Sequence, residues 1–312
     1  MIEKQPVKKA GRIGALKQGM PIFLLLMLLA AVVAASGGTG KPSAIRPIQV
    51  YLSSSPASYC AFPLMENGSS RYAVTLEKDH GAVIAALNRG APDAAIVPAQ
   101  LLSQVNADVY AAAAVTSFLN LVVVQNGGTA ASLFDLNGKE VIFPDTMLPT
   151  PEYQMLEALL AQTKVKPILL YEKESAIAQR AQTGDFDFMI LPVDKCAALL
   201  MKSDDYRTCF NLAGQWASIL GTTPPAGDCL VVRKECITQN REAVIALLKN
   251  LQTGVNYANA KHKKAAQIIA TLGLGGEPVS IMKTLPHCAF CYQEGSEMEE
   301  ALKQLAALAR KE

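Results

Sequence analysis

Most of the signatures that mark an enzyme are missing from this chain. It holds three histidines and one tryptophan in 312 residues. There is no HExxH pair, no glycine-rich phosphate loop and no nucleophile elbow, so zinc peptidases, P-loop hydrolases and α/β-hydrolases are not indicated. Aspartates and glutamates are scattered, with no identifiable acid and base pair. No basic stripe interleaved with aromatics occurs, which argues against nucleic acid as a partner. No apolar run reaches the roughly twenty residues that a membrane-spanning helix needs.

What the amino end does hold is a basic stretch, with Lys4, Lys8, Lys9, Arg12 and Lys17, followed by the apolar segment 22–35. Fourteen residues are too few for a bilayer span, and the small residues Val33 and Ala35 precede Ser36. Residues 1–35 are therefore expected to be a secretory signal cut before Ser36. An uncleaved anchor, tethered through a linker over 36–47, is the competing reading. No cysteine follows the apolar core, so a lipoprotein anchor is excluded. On either reading the folded part is expected outside the cytoplasm. Five basic residues and one acidic residue fall within 1–35, so the 29 basic and 27 acidic residues of the chain become 24 and 26 beyond it. The formal charge passes from +2 to −2, and the 277 residues that follow can bury the cores of two lobes.

One pattern occurs twice. Ala82-Val83-Ile84-Ala85-Ala86-Leu87-Asn88-Arg89-Gly90 leads through Asp93 to the apolar run ending at Pro98, and Ser175-Ala176-Ile177-Ala178-Gln179-Arg180-Ala181-Gln182-Thr183-Gly184 leads through Asp187 to the run ending at Pro192. Each copy reads as a helix closed by a left-handed glycine. The apolar run after it reads as a strand buried on both faces, stopped by a proline that a central strand does not accept. Ligands of open parallel sheets sit at such carboxyl ends. Two copies predict two similar α/β lobes sharing a cleft; two units within one sheet is the plainer alternative.

Around the copies, the strand Ile48-Gln49-Val50-Tyr51-Leu52 runs into a hydroxyl-rich loop, 53–59, which reads either as a ligand loop or as a solvated turn. The apolar stretch 111–124 suggests one long strand passing from lobe to lobe. Thr150 and Pro151 read as the cap and first residue of a helix, and Asp228 to Val232 as a returning strand. The expected division is 48–124 for the first part of lobe 1, 125–224 for lobe 2 and 225–312 for the return to lobe 1. His80 and His262 read as surface or capping residues.

Seven cysteines are present, an odd number. In an exported protein some should pair. Cys288 and Cys291 are the expected disulfide, with Cys196 and Cys209 as a second candidate. A metal site at His287-Cys288-Ala289-Phe290-Cys291 is the other reading, although no second CxxC completes it.

Three segments carry a family resemblance: Leu87-Asn88-Arg89-Gly90-Ala91-Pro92-Asp93-Ala94-Ala95-Ile96, Leu133-Phe134-Asp135-Leu136-Asn137-Gly138-Lys139, and Cys229-Leu230-Val231-Val232. With the order strand-loop-repeat, crossover, strand-loop-repeat, return strand, the chain resembles the extracytoplasmic substrate-binding proteins of ABC importers, near the nitrate, sulfonate, taurine and thiamine-pyrimidine-precursor binders. The resemblance implies a type 2 periplasmic-binding-protein-like fold, two doubly wound α/β lobes joined by crossing strands that close on a small molecule by hinge motion. It implies a monomer that delivers its ligand to an ABC permease in the membrane, with no cofactor and no catalysis. Carried over residue by residue, it implies ligand contacts at Ser54, Ser55 and Tyr59, at Pro98, Ala99 and Gln100, and at Ser117. From the second lobe it implies Thr146, Thr150, Pro192, Val193 and Asp194. These loops hold no Arg or Lys apart from Lys195, and Glu152 stands in a helix's first turn. That composition points to a neutral or cationic ligand, a heterocycle stacked on Tyr59 or on Trp216 being one form; Trp216 also reads as a core residue. An exported enzyme on the same fold and a membrane-tethered sensor are the alternative functions.

Overall fold

The computed structural model describes residues 46–66, 71–148 and 150–309. The expected signal or anchor and most of the linker lie outside them. The strands are β1 Ile48–Ser53, β2 Tyr72–Glu77, β3 Ala94–Pro98, β4 Tyr110–Phe118, β5 Val122–Asn126, β6 Glu140–Pro144, β7 Ile168–Glu172, β8 Phe188–Leu191, β9 Tyr206–Asn211, β10 Ala226–Arg233 and β11 Phe290–Gln293. They form two sheets, ordered β2-β1-β3-β10-β4-β11 and β7-β6-β8-β5-β9. The first five strands of each sheet correspond in order. In each, three strands run parallel and the fourth runs antiparallel to its neighbours.

That fourth strand comes in both cases from the chain segment that has just left the other sheet. The apolar stretch 111–124, expected as one long strand, is two: β4 ends at Phe118 in the first sheet and β5 starts at Val122 in the second. Leu119, Asn120 and Leu121 make the passage. Their polar groups are held by partners from elsewhere: Leu119 N donates to Pro225 O (2.8 Å), Leu212 N to Leu121 O (2.9 Å), and Asn120 Oδ1 accepts from Ala213 N (3.1 Å). Backbone groups that leave one ladder before joining the next must find such partners if they are buried. The return passage enters β10 beside it. A Cβ on Gly227 would lie 2.6 Å from the carbonyl carbon and oxygen of Phe118, so only glycine lets the two crossings lie this close.

Both repeat copies take the expected form. The helix His80–Asn88 is followed by Gly90 at φ 70°, and the helix Glu174–Thr183 by Gly184 at φ 72°. The strands that follow, β3 and β8, are the central parallel strands, buried along nearly their whole length. Pro151 opens the helix Pro151–Thr163, and Thr150 caps it, its hydroxyl accepting from Tyr153 N (3.3 Å).

Neither expected disulfide forms; all seven cysteines are free thiols. Alternation along a strand sends successive side chains to opposite faces, and the sheets separate both pairs. Cys196 is buried beneath one face of the second sheet, with Val122, Val124 and Ile142, whereas Cys209 packs on the other face with Val123, Val141 and Phe143. Cys288 likewise lies in the core under Val50 and Leu230, while Cys291 packs with Val115 and Val231. The Cys288 thiol turns back to the Thr284 carbonyl (3.5 Å). Among the described residues no three His, Cys, Asp or Glu side chains gather to hold a metal, and no helix is long and apolar enough to cross a membrane.

Candidate functional site

The chain leaves the carboxyl ends of β1 and β8 into segments that hold polar side chains. From β1 the chain passes into Ser53, Ser54 and Ser55, with the Ser53 and Ser55 hydroxyls 2.8 Å apart, and then into a 3-10 helix, Pro56–Ala61, that buries Tyr59. From β8 it passes through Pro192 into the helix Val193–Leu200, whose first turn exposes Asp194. These two ends meet. A cavity of about 380 Å³ is lined by Ser54, Ser55, Pro56 and Tyr59 from the first, by Asp194 from the second, and by the glycine-rich turn 273–276 with Ser280 and Thr284. A Cβ on Gly275 would stand 2.7 Å from the Tyr59 hydroxyl, so the turn closes against the ring only because it has no side chain there. Burial, helped by the neighbouring Cys288 and Asp194, pushes the Tyr59 phenol up to about 12. Tyr59 therefore stays a neutral hydroxyl that can both donate and accept.

In the first sheet, β10 sets Asp228 opposite Pro98 of β3 and opposite Ser117 of β4. Ser117 Oγ donates to Asp228 Oδ2 (2.6 Å) and accepts from Asp228 N (3.0 Å). Burial raises the Asp228 carboxyl above its ordinary range, and the Ser117 bond and nearby His80 pull it part of the way back. From the second sheet, Glu152 in the first turn after Thr150 is also raised, chiefly by burial, and Asp228 adds to the rise.

Of the thirteen residues predicted to touch a ligand, Ser54, Ser55, Tyr59 and Asp194 come together around the cavity. Ser117, and Pro98 through its register partner, belong to the Asp228 group, none of whose members lines that cavity. Ala99 is buried and Gln100 exposed at the start of the 3-10 helix that follows β3. Thr146 is exposed, Thr150 serves as helix cap, and Val193 packs against the cores of both sheets. Trp216 lies in the core of the helix Leu212–Leu220, 5% exposed, its Nε1 donating to Thr222 Oγ1 (3.1 Å), so its ring offers no open stacking face. Sequence reasoning did not single out Asp228 or the turn 273–276, and it read His80 as a surface or capping residue. A carboxylate inside the otherwise apolar run Gly227-Asp228-Cys229-Leu230 was the available signal for Asp228, and the glycines of 273–276 for the turn.

No protein-family model matches this sequence, and no curated protein matches it. Solved structures do. An ABC transporter from Parabacteroides distasonis superposes with a TM-score of 0.65 at 16% identity, over 84% of this chain and 91% of that one. The periplasmic aliphatic sulphonate binding protein of Escherichia coli gives 0.59 at 14% identity, over 84% and 86%. The fold is that of the type 2 periplasmic binding proteins. A ligand-binding component of an ABC-type import system from Staphylococcus aureus, with zinc bound, gives 0.57 at 16% identity, over 85% and 91%. At such identities the likeness establishes the type 2 periplasmic-binding fold and leaves the ligand to the residues of this chain.

Proposed function

We propose that the protein is an extracytoplasmic solute-binding receptor of an ABC importer, working as a monomer at the periplasmic or outer face of the membrane and handing a small molecule to a membrane permease. The observation that carries this reading is the cavity between Tyr59 and Asp194, to which both sheets contribute although the chain crosses between them only at 119–121 and 221–225. Two bodies joined by short passages can swing, and a ligand that touches both stabilises the closed arrangement. Solved structures of the same fold that include binding components of importers support the reading.

A small-metabolite library screened by thermal shift provides the test. A true ligand at a hundredfold excess over its Kd should raise the melting temperature by about 5 °C or more. Small-angle scattering should show compaction, and no product should form. Tyr59→Ala and Asp194→Ala should each weaken binding at least tenfold while the ligand-free protein still melts cooperatively. A library without any stabilising compound, or turnover of the compound that binds, would overturn the receptor reading.

A further inference from the structure

The helix Val193–Leu200 follows a strand of the second sheet, yet it is tied to the first sheet at both of its ends. Cys196, Leu199 and Leu200 bury themselves with Val122, Val124 and Met189 of the second sheet. At the amino end, Val193 packs as well against the core that holds Val50, Ile281 and Leu285 on the first sheet's side. At the carboxyl end, Lys283 of the helix Pro278–Thr284 donates from Nζ to the Leu200 carbonyl, and the two helices pack against each other.

Leu200 is the last residue of its helix, and the final carbonyls of a helix have no donor within it. An ammonium placed there makes a charge-assisted hydrogen bond and meets the negative end of the helix dipole. Holding a lysine stem in one conformation is entropically costly. No carboxylate pairs with Lys283 among the described residues, so its charge is committed to the other sheet's helix.

The cavity is built from the same two helices. Asp194 follows Val193 directly, and Ser280 and Thr284 lie on either side of Lys283 in sequence; all three line the cavity, whereas Lys283 does not. The chain passages at 119–121 and 221–225 leave the angle between the sheets open. A contact between two elements outside both passages is what sets it.

We infer that Lys283 is a positioning residue, a clasp between the two sheets that holds Asp194 opposite Tyr59 and keeps the cavity assembled before a guest enters. The clasp is a property of the empty protein and does not depend on which compound binds. Affinity for any guest of the cavity scales with the clasped fraction of the protein, so Lys283 tunes binding without touching the guest.

The test uses the full chain without added ligand, as wild type, Lys283→Met and Lys283→Arg. The first substitution keeps most of the stem and removes the donor; the second keeps a charged donor. In Lys283→Met, amide hydrogen exchange should accelerate by about tenfold over 193–201 and 273–284, and by no more than about twofold over the helices His80–Asn88 and Pro151–Thr163. Small-angle scattering should give Lys283→Met a larger radius of gyration than the wild type. Lys283→Arg should match the wild type in both measurements. Unchanged exchange at the two helices, or an unchanged radius of gyration, overturns the inference. So does acceleration spread evenly along the chain with a matching fall in melting temperature, which would make Lys283 an ordinary packing residue, and so does Lys283→Arg behaving as Lys283→Met. Because no guest is used, the receptor reading stands or falls separately.

Discussion

The two repeat copies use the same sequence spacing to reach the same backbone, but they secure it with different chemistry. In the first, Gly90 turns the chain, and Arg233, the last residue of β10, donates from Nη2 to the Gly90 and Pro92 carbonyls. Tyr110, the first residue of β4, donates to Pro92 O (2.8 Å) and lies under the Arg233 guanidinium. In the second, Gly184 turns the chain, and Asn126, the last residue of β5, donates from Nδ2 to the Gly184 carbonyl (2.9 Å). Tyr206, the first residue of β9, donates to Ala181 O (3.0 Å). The positions correspond strand for strand. The difference lies in the aspartate that follows each glycine. Asp93 is buried, bound to Arg46 (2.8 Å) and near Arg233 (3.6 Å), and it accepts from Gln49 N (3.0 Å). Asp187 is exposed and lends only its backbone carbonyl, to Asn126 N. A shared motif can thus specify a turn in both lobes while the ionic lock is built differently: in the first the motif's own Asp93 is held by arginines, and in the second Arg180 pairs with Glu172 (2.8 Å) and with Asp185 (3.0 Å) beside the glycine.

The comparison breaks most visibly at Arg233. Arg233→Ala removes donors from two carbonyls and a tyrosine and leaves Asp93 buried, with Arg46, itself mostly exposed, as its remaining cation. Stranding a buried charge in this way typically costs about 3 kcal/mol or more. Urea denaturation should show a loss of that size, and a loss below about 1 kcal/mol would mean that Arg46 alone sustains the lock.

How far the sequence disclosed all this depends on the distance over which each signal acts. The repeat copies, the Thr150 cap and the closing glycines were legible because each is a local rule, helix end against strand start. Two lobes followed from two copies. The break within 111–124 was not legible, because Leu119 and Leu121 are as apolar as the strands on either side. What interrupts the strand is the pairing of Leu119 with Pro225 and of Leu121 with Leu212, residues about a hundred positions away. Cysteine pairing failed for a related reason: nearness in sequence hides which face of a sheet a thiol occupies. In the cleft, the loops after β1 and β8 were legible as strand ends. Asp228 was not, since its position opposite Pro98 exists only once β10 has returned from the second lobe.

A smaller effect is expected at Asn126, which in the second lobe takes the place of Arg233 but offers the glycine carbonyl a neutral hydrogen bond. Asn126→Ala leaves the Gly184 carbonyl without this donor, but no charge is stranded, so the loss should be about 1 kcal/mol. Its measurement beside Arg233→Ala sharpens the comparison: equal losses would show that the carbonyl contact, rather than the ion pair, carries the lock in both lobes.

The smallest effect should come from the residue that the motif shares most plainly. Asp187 occupies the place of Asp93, three residues after the glycine, yet its carboxylate faces water and makes no bond among the described residues. Its backbone carbonyl, which does accept from Asn126, survives any side-chain change. Asp187→Ala should therefore shift stability by no more than about 0.5 kcal/mol, whereas removal of the corresponding carboxylate in Asp93→Ala would leave two guanidinium groups close together at the rim of the first sheet. A large loss at Asp187 in urea denaturation would mean that the second copy also uses its acid, and that the asymmetry between the lobes is smaller than their hydrogen bonds suggest.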